Sequence, residues 1–397
     1  MRAVFAPSGS LFYAGLRVLL TSLERASPLS SVMVDLSRLE FASPGAMVPL
    51  AAIVFQLRSE GVVVDARMPS TPMAEDYFAK AGWTSAILGD DAPPRPSHRR
   101  SFVPIIRFSD HTALNAAVSA TLEVVSAYAV YPTGVLKAIE WALNEVADNV
   151  LVHAGSDVHG WMQVIATPRQ GRLSFTVADH GRGILASLRE RYTDLAGDQL
   201  ALEKAILPGV TRDSRVGQGN GLSGSVRIAE AMHGWVNLLS GRGELRVMDD
   251  GRTHTQASPS YSGTVVDVTL PSGTEVDIAE ALWGHEPSSS LELSHLVGGS
   301  IVFRVRDESP GFGNRASGLE VSNKLANVLN DMPGERVTVD FESVEFVSAS
   351  FADEFLAKLI KRYGVGTFLA RVGLTNMSSL VGRTVNAVVA QRMASDG

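Results

Sequence analysis

The stretch EWALNEVADNVLVHA (140–154) carries Trp141, Leu143, Val146, Ala147, Val150 and Leu151 at the spacing of a buried helix. Glu145, Asn149 and His153 fall at i, i+4 and i+8, so the same helix bears one polar stripe. Asp148 sits off that stripe and is expected to be solvated or paired. A second helix, HTALNAAVSATLEVVSAYAV (111–130), precedes it, with His111 at its start in a structural role. Two alternating runs, HGWMQVIATP and GRLSFTVAD, flank the turn PRQG (168–171) and predict a hairpin. Residues 185–216 have few strong apolar periods and predict a mobile lid. A helix through Leu222, Val226, Ile228, Ala229 and Met232 follows, with Gly234 as its stop. The strand-like runs WVNLLS and ELRVMD and the alternating strand SGTVVDVTLP (262–271) close this central region.

The outer regions echo one another. VMVDLSRLEFASPGA (32–46) and VTVDFESVEFVSASF (337–351) align without a gap and share Val32/Val337, Val34/Val339, Asp35/Asp340, Glu40/Glu345, Phe41/Phe346 and Ser43/Ser348. Each reads as a strand, a turn and a helix. In the first copy a further strand, VVVDARM (62–68), follows, which implies an α/β domain with a partly parallel sheet. GDDAPPRPSHRR (89–100) and GHEPSSSLELS (284–294) read as linkers. They divide the chain into domains at 1–90, 101–275 and 290–397.

Composition narrows the classes. Of 397 residues, 45% are hydrophobic, enough for a sizeable core. The longest apolar run, MVPLAAIVFQL (47–57), falls short of the roughly 18 residues a membrane span needs. The absence of cysteine excludes disulfides and thiolate metal sites and favours a cytoplasmic setting. A net charge of −7 argues against a general nucleic-acid binder, and the nine histidines lack zinc-binding spacing.

Candidate chemistry concentrates in the centre. The second hairpin strand ends in Asp179-x-Gly181-x-Gly183. A carboxylate at a strand end, beside a backbone with little side-chain bulk, suits a flat ligand bearing an exocyclic amine. Gly217, Gly219 and Gly221 then open the helix that begins at Leu222, and such a loop presents N–H groups to phosphates. Lys204, Arg212 and Arg215 in the preceding stretch supply cations. In order and spacing, residues 105–272 resemble the GHKL ATPases (gyrase, heat-shock chaperone, histidine kinase, mismatch repair). The resemblance implies ATP and Mg²⁺ as cofactors. It makes Glu145 the base or water-positioning residue and Asn149 the Mg²⁺ ligand. Asp179, Gly181 and Gly183 become the adenine box, and Gly217, Gly219, Gly221 and Leu222 the phosphate box. Gly263 and Thr264 match the last box. The stripe on the helix then faces a nucleotide pocket, with His153 a hydrogen-bonded histidine near it.

Both outer regions resemble STAS domains, the C-terminal one being similar to a STAS-like domain of unknown function. The expected architecture is α/β: a central Bergerat-type α/β sandwich ATPase domain flanked by two small STAS-like α/β domains. In STAS antagonists a serine at the corresponding helix start is phosphorylated, which the helix dipole favours. The matching serines here are Ser43, Ser348 and Ser350, whose first reading is as plain helix N-caps. Two helices, the second carrying Glu145 and Asn149, resemble the anti-sigma serine kinases, not the histidine kinases. The resemblance implies a Mg-ATP-dependent ATPase or serine/threonine kinase of the partner-switching type. Its partners would be proteins, either STAS domains or sigma-factor regulators, with a homodimer left open and neither membrane nor nucleic acid expected. Because the turns lack Asp-Ser-Ser-Gly, an ATP-gated binding module with little or no turnover is the alternative.

Overall fold

The computed structural model describes residues 2–26, 30–90, 103–155, 158–210, 221–285, 287, 289–297 and 299–394. The chain forms two compact units. The first comprises Met1–Thr121, Glu140–Ser272 and Glu280–Gly284; the second comprises Leu122–Ile139, Gly273–Ala279 and His285–Gly397.

The first unit begins with β1 (Arg2–Phe5), β2 (Ser8–Leu11), α1 (Leu16–Arg25), β3 (Ser31–Asp35), β4 (Arg38–Ala42), α2 (Pro44–Ser59), β5 (Val63–Arg67), α3 (Pro72–Lys80) and α4 (Trp83–Leu88). β1, β3 and β5 form a parallel sheet with β3 central, and β2 pairs with β4 in a separate ladder. β4 thus stands between the echo strand and its helix, where the sequence suggested only a turn. Val32 and Val34 point inward from β3 at strand period.

The central sheet follows: β6 (Ile106–Phe108), then α5 (His111–Tyr128) and α6 (Val135–His153), then β7 (Gly160–Thr167) and β8 (Arg172–Asp179). Next come α7 (Gly183–Leu188), α8 (Asp198–Ala205), α9 (Gly221–Ala231), β9 (Trp235–Val247) and β10 (Thr253–Pro271). All neighbours in the order β6-β7-β8-β10-β9 are antiparallel. WVNLLS and ELRVMD are one strand, not two. Gly241 and Gly243 carry β9 through SGRG where α8 packs against them: a Cβ added at Gly243 would lie only 2.9–3.0 Å from Asp198 and Gln199 backbone atoms.

Both faces of this sheet are buried. Register places Ala178, Val265 and Leu239 on one face, and they share a core with Val34, Met47, Leu50, Val54 and Trp83 of the N-terminal layer. α2 therefore lies between two sheets. That explains its apolar run MVPLAAIVFQL, buried nearly all round in a helix without membrane character. Several polar groups on this face are paired. The buried Gln163 amide accepts from Trp83 Nε1 at 2.7 Å and donates to the Ala81 and Val103 carbonyls at 3.3 and 3.1 Å. Arg17 reaches the buried Glu244 at 2.6 Å. Asp267 accepts from Thr176 and Asn237 at 2.7 and 3.1 Å. Among the described residues no helix is long and apolar enough to cross a membrane.

The second unit adds α10 (Ile278–Ala281, which it shares with the first), α11 (Ser290–His295), β11 (Leu296–Val297), β12 (Ser300–Arg304), α12 (Val305–Glu308), α13 (Arg315–Asp331) and β13 (Val337–Asp340). It continues with α14 (Ala349–Ala352), α15 (Lys358–Tyr363), α16 (Val365–Arg371), β14 (Val372–Thr375) and α17 (Ser379–Ala394). β12, β13 and β14 are parallel, so the second echo strand is also central, and a π turn (Asp353–Ala357) joins α14 to α15. α13, N-capped by Asn314, turns an amide ladder toward the α5–α6 connector. Asn323 Nδ2 donates to Ala127 O at 2.9 Å. Asn327 Nδ2 donates to Ser126 O and Ala129 O at 2.9 and 2.8 Å, and its Oδ1 accepts from Tyr131 N at 2.7 Å. Asn330 donates to Tyr131 O at 2.7 Å. Asn327 is 1% exposed. Asn327→Leu keeps the number and branching of side-chain heavy atoms but leaves buried backbone groups unpaired, so it should lower the stability of this unit by about 3 kcal/mol. Thermal denaturation and amide exchange at Tyr131 read that loss.

Candidate nucleotide site

The α6 stripe meets two elements. At Gly221, the first residue of α9, an added Cβ would collide with Glu145 Oε2, so the carboxylate abuts the start of that helix. At the other end the loop after β8 is stitched to α6: Arg182 N donates to Ala154 O at 3.0 Å and Arg182 Nε to His153 O at 2.8 Å. These bonds satisfy carbonyls that the helix end leaves open. Asn149, one turn from each of Glu145 and His153, lies between the start of α9 and the end of β8. Gly224 lets α9 pack directly on Trp141, fixing the two helices against each other. Asp148, off the stripe, pairs with His111 at 3.2 Å, which gives both residues the structural roles the sequence suggested.

Asp179 ends β8 on the face opposite the N-terminal layer, since it follows Phe175 and Val177 at strand period. It is 4% exposed. Its Oδ1 accepts from Gly181 N at 2.7 Å, and Thr264 N–H also donates to the carboxylate. The glycines around it are steric requirements. A Cβ at Gly181 would strike the Ala154 carbonyl, and one at Gly263 would strike the Asp179 carbonyl. Gly183 and Gly263 hold φ of +76° and +106°, which side chains rarely adopt. Thr264, inside β10, and Leu222, in the first turn of α9, are half-buried.

Two supporting residues escaped the sequence reading. Ser240 on β9 donates to Gly263 O at 2.8 Å and accepts from Ile184 N at 2.9 Å, joining the segment after β8 to the Gly-Thr pair. Tyr261 Oη donates to Asp179 O at 2.8 Å. The available signal was an aromatic residue isolated in the polar run SPSYSG, two residues ahead of Gly263.

Burial pushes the Asp179 carboxyl up from 3.8 to about 7, against the two backbone donors that lower it. Burial also pushes neighbouring His180 down to about 4, so it is neutral at physiological pH. A raised folded-state value means that Asp179 stabilises the ligand-free protein below about pH 4 and loses that contribution as pH rises through about 7. The ionised form accepts from a ligand amine more strongly than the neutral carboxyl, because that hydrogen bond is charge-assisted. ATP affinity should therefore rise about five- to tenfold between pH 6 and pH 8, as calorimetric titration at each pH would read.

The residues present fit a purine nucleotide. A buried acceptor sits in a cradle that Cβ atoms would fill, beside a helix start and a carboxylate. Among the described residues no group of three histidines or carboxylates could hold a metal ion. A Mg²⁺ here would rest on Asn149 and the nucleotide's own phosphates. Lys204, expected to face phosphate, lies 4.2 Å from the Tyr192 ring centroid. Gly217, Gly219, Arg212 and Arg215 lie outside the described residues. Of the stretch expected to form a lid, the described part contains α7 and α8.

Residues 134–274, from the loop before α6 to the end of β10, match the family model described as histidine kinase-, DNA gyrase B- and HSP90-like ATPase. Residues 317–381 match that of a STAS-like domain of unknown function. No curated protein matches the chain in sequence. The chain thus carries a GHKL-type ATPase domain and a C-terminal STAS-like domain.

Proposed function

From a GHKL-type ATPase domain and a STAS-like domain in one chain, we propose a Mg-ATP-dependent regulator of the partner-switching type. It is an ATPase or serine/threonine kinase that acts on STAS-like domains, its own or a partner's. The observation that supports this reading is Glu145 Oε2 set against the first residue of α9, where a base would stand beside a helix start able to receive phosphate. Asp179 accepts from the adenine amine. Gly221 and the first turn of α9 turn N–H groups toward phosphate. Asn149 offers a neutral oxygen to the cation. Bound Mg-ATP supplies the γ-phosphoryl group and the charge that neutralises it. Glu145 takes the proton from the attacking water or hydroxyl. The N-terminal α/β layer, whose central strand repeats the sequence of β13, is the second STAS-like element in this reading.

One observation favours an ATP-gated binding module instead. Ser348 Oγ is engaged as the N-cap of α14, accepting from Phe351 N at 3.1 Å, and lies 3.1 Å from Ser350 Oγ. Incubation with γ-labelled ATP and Mg²⁺ separates the readings. Label that stays on the chain and is lost in Ser348→Ala/Ser350→Ala means an internal kinase–substrate pair. Release as free phosphate means an ATPase. Label that remains in ATP removes turnover and leaves the gated module.

A further inference from the structure

We propose that Tyr261 is a positioning residue for adenine recognition, acting through Asp179; this rests on the nucleotide reading of the site. The side chain is 1% exposed and its hydroxyl donates to the Asp179 carbonyl at 2.8 Å. Asp179 is therefore held at two places by one short segment of β10. Tyr261 fixes its carbonyl, and Thr264 N–H fixes its carboxylate.

The strand is shaped for this. β10 shifts register on both sides of Tyr261, between Ala257 and Tyr261 and again between Tyr261 and Thr264, while Tyr261 stays opposite Gly241 and Thr264 opposite Ser240. Such bulges re-aim side chains locally. Here they bring the Tyr261 hydroxyl and the Gly263 backbone to the same peptide group of Asp179. That peptide group leads into His180 and Gly181, so its orientation sets the turn in which Gly181 N binds the carboxylate.

The ring has a second attachment. Tyr261 belongs to the core that Trp161, Ala178, Leu239 and Val265 share with the N-terminal layer, and the His180 ring lies 5.6 Å from it. The orientation of the adenine acceptor is thereby tied to the packing of the N-terminal layer on the back of the sheet. The N-terminal layer becomes part of the nucleotide-recognition apparatus.

Titrations of the full chain with ATP and with GTP, for wild type, Tyr261→Phe, Asp179→Asn and the double variant, test this. Tyr261→Phe should weaken ATP about tenfold, leave GTP unchanged, and add no loss in the Asp179→Asn background. Equal losses in both backgrounds, or a lowered melting temperature with unchanged ATP affinity, would reduce Tyr261 to a structural role and overturn the proposal. If Tyr261→Phe does not fold, 3-fluorotyrosine at position 261 retains the hydroxyl. Its fluorine resonance should shift with ATP and not with GTP, and a line indifferent to ATP overturns the proposal. A wild-type chain that binds no ATP overturns the nucleotide reading itself, whereas ATP binding that Asp179→Asn weakens and Tyr261→Phe does not overturns this proposal alone.

Discussion

Glu145→Gln should lower ATP turnover by about 10²–10⁴-fold while ATP affinity stays within about threefold. The substitution keeps the shape of a side chain whose Oε2 abuts Gly221, so the contact between α6 and α9 survives. What it removes is the capacity to take a proton. Single-turnover phosphate release, with binding measured in parallel, separates those effects. Turnover that persists in Glu145→Gln would take Glu145 out of the mechanism and assign proton transfer elsewhere. Loss of binding together with turnover would mean that Glu145 supports the pocket and does not act as a base.

Asp179→Asn should weaken ATP about 10- to 100-fold, the range expected when a charge-assisted hydrogen bond is lost in a buried site. The carboxylate is already desolvated and carries two backbone donors, so a ligand amine would draw on its remaining acceptor capacity. The same substitution should flatten the dependence of ATP affinity on pH, because the group that titrates near 7 is gone. An ATP affinity equal to wild type, with the pH dependence intact, would show that the purine is held elsewhere.

The site was legible where chemistry follows a local period. The i, i+4, i+8 spacing of Glu145, Asn149 and His153 survives folding because a helix keeps its own register whatever surrounds it. Asp179 and its glycines were legible because the turn they make is steric and local. The supports were not. Ser240 and Tyr261 act across strands, and their reach depends on bulges in β10 that no side-chain pattern announces. β9 was read as two runs because SGRG resembles a turn in sequence. In the folded chain the same glycines admit α8 against a continuous strand. The echo of 32–46 in 337–351 pointed to strand–turn–helix units in a partly parallel sheet; β3 and β13 are parallel strands, but β4 intervenes before the helix in the first copy. The echo gave no sign that α2 is buried on both sides. An apolar run carries no mark of how many partners cover it.

The most direct measurement is calorimetric titration of the full chain with Mg-ATP and Mg-GTP at pH 8. With Asp179 as the proposed purine acceptor, ATP should bind stoichiometrically and saturably with a clear preference over GTP, since adenine offers an amine to the carboxylate and guanine a carbonyl at that position. Absence of ATP binding, or equal binding of the two nucleotides, would contradict the assignment of Asp179 and its glycine cradle as a purine site.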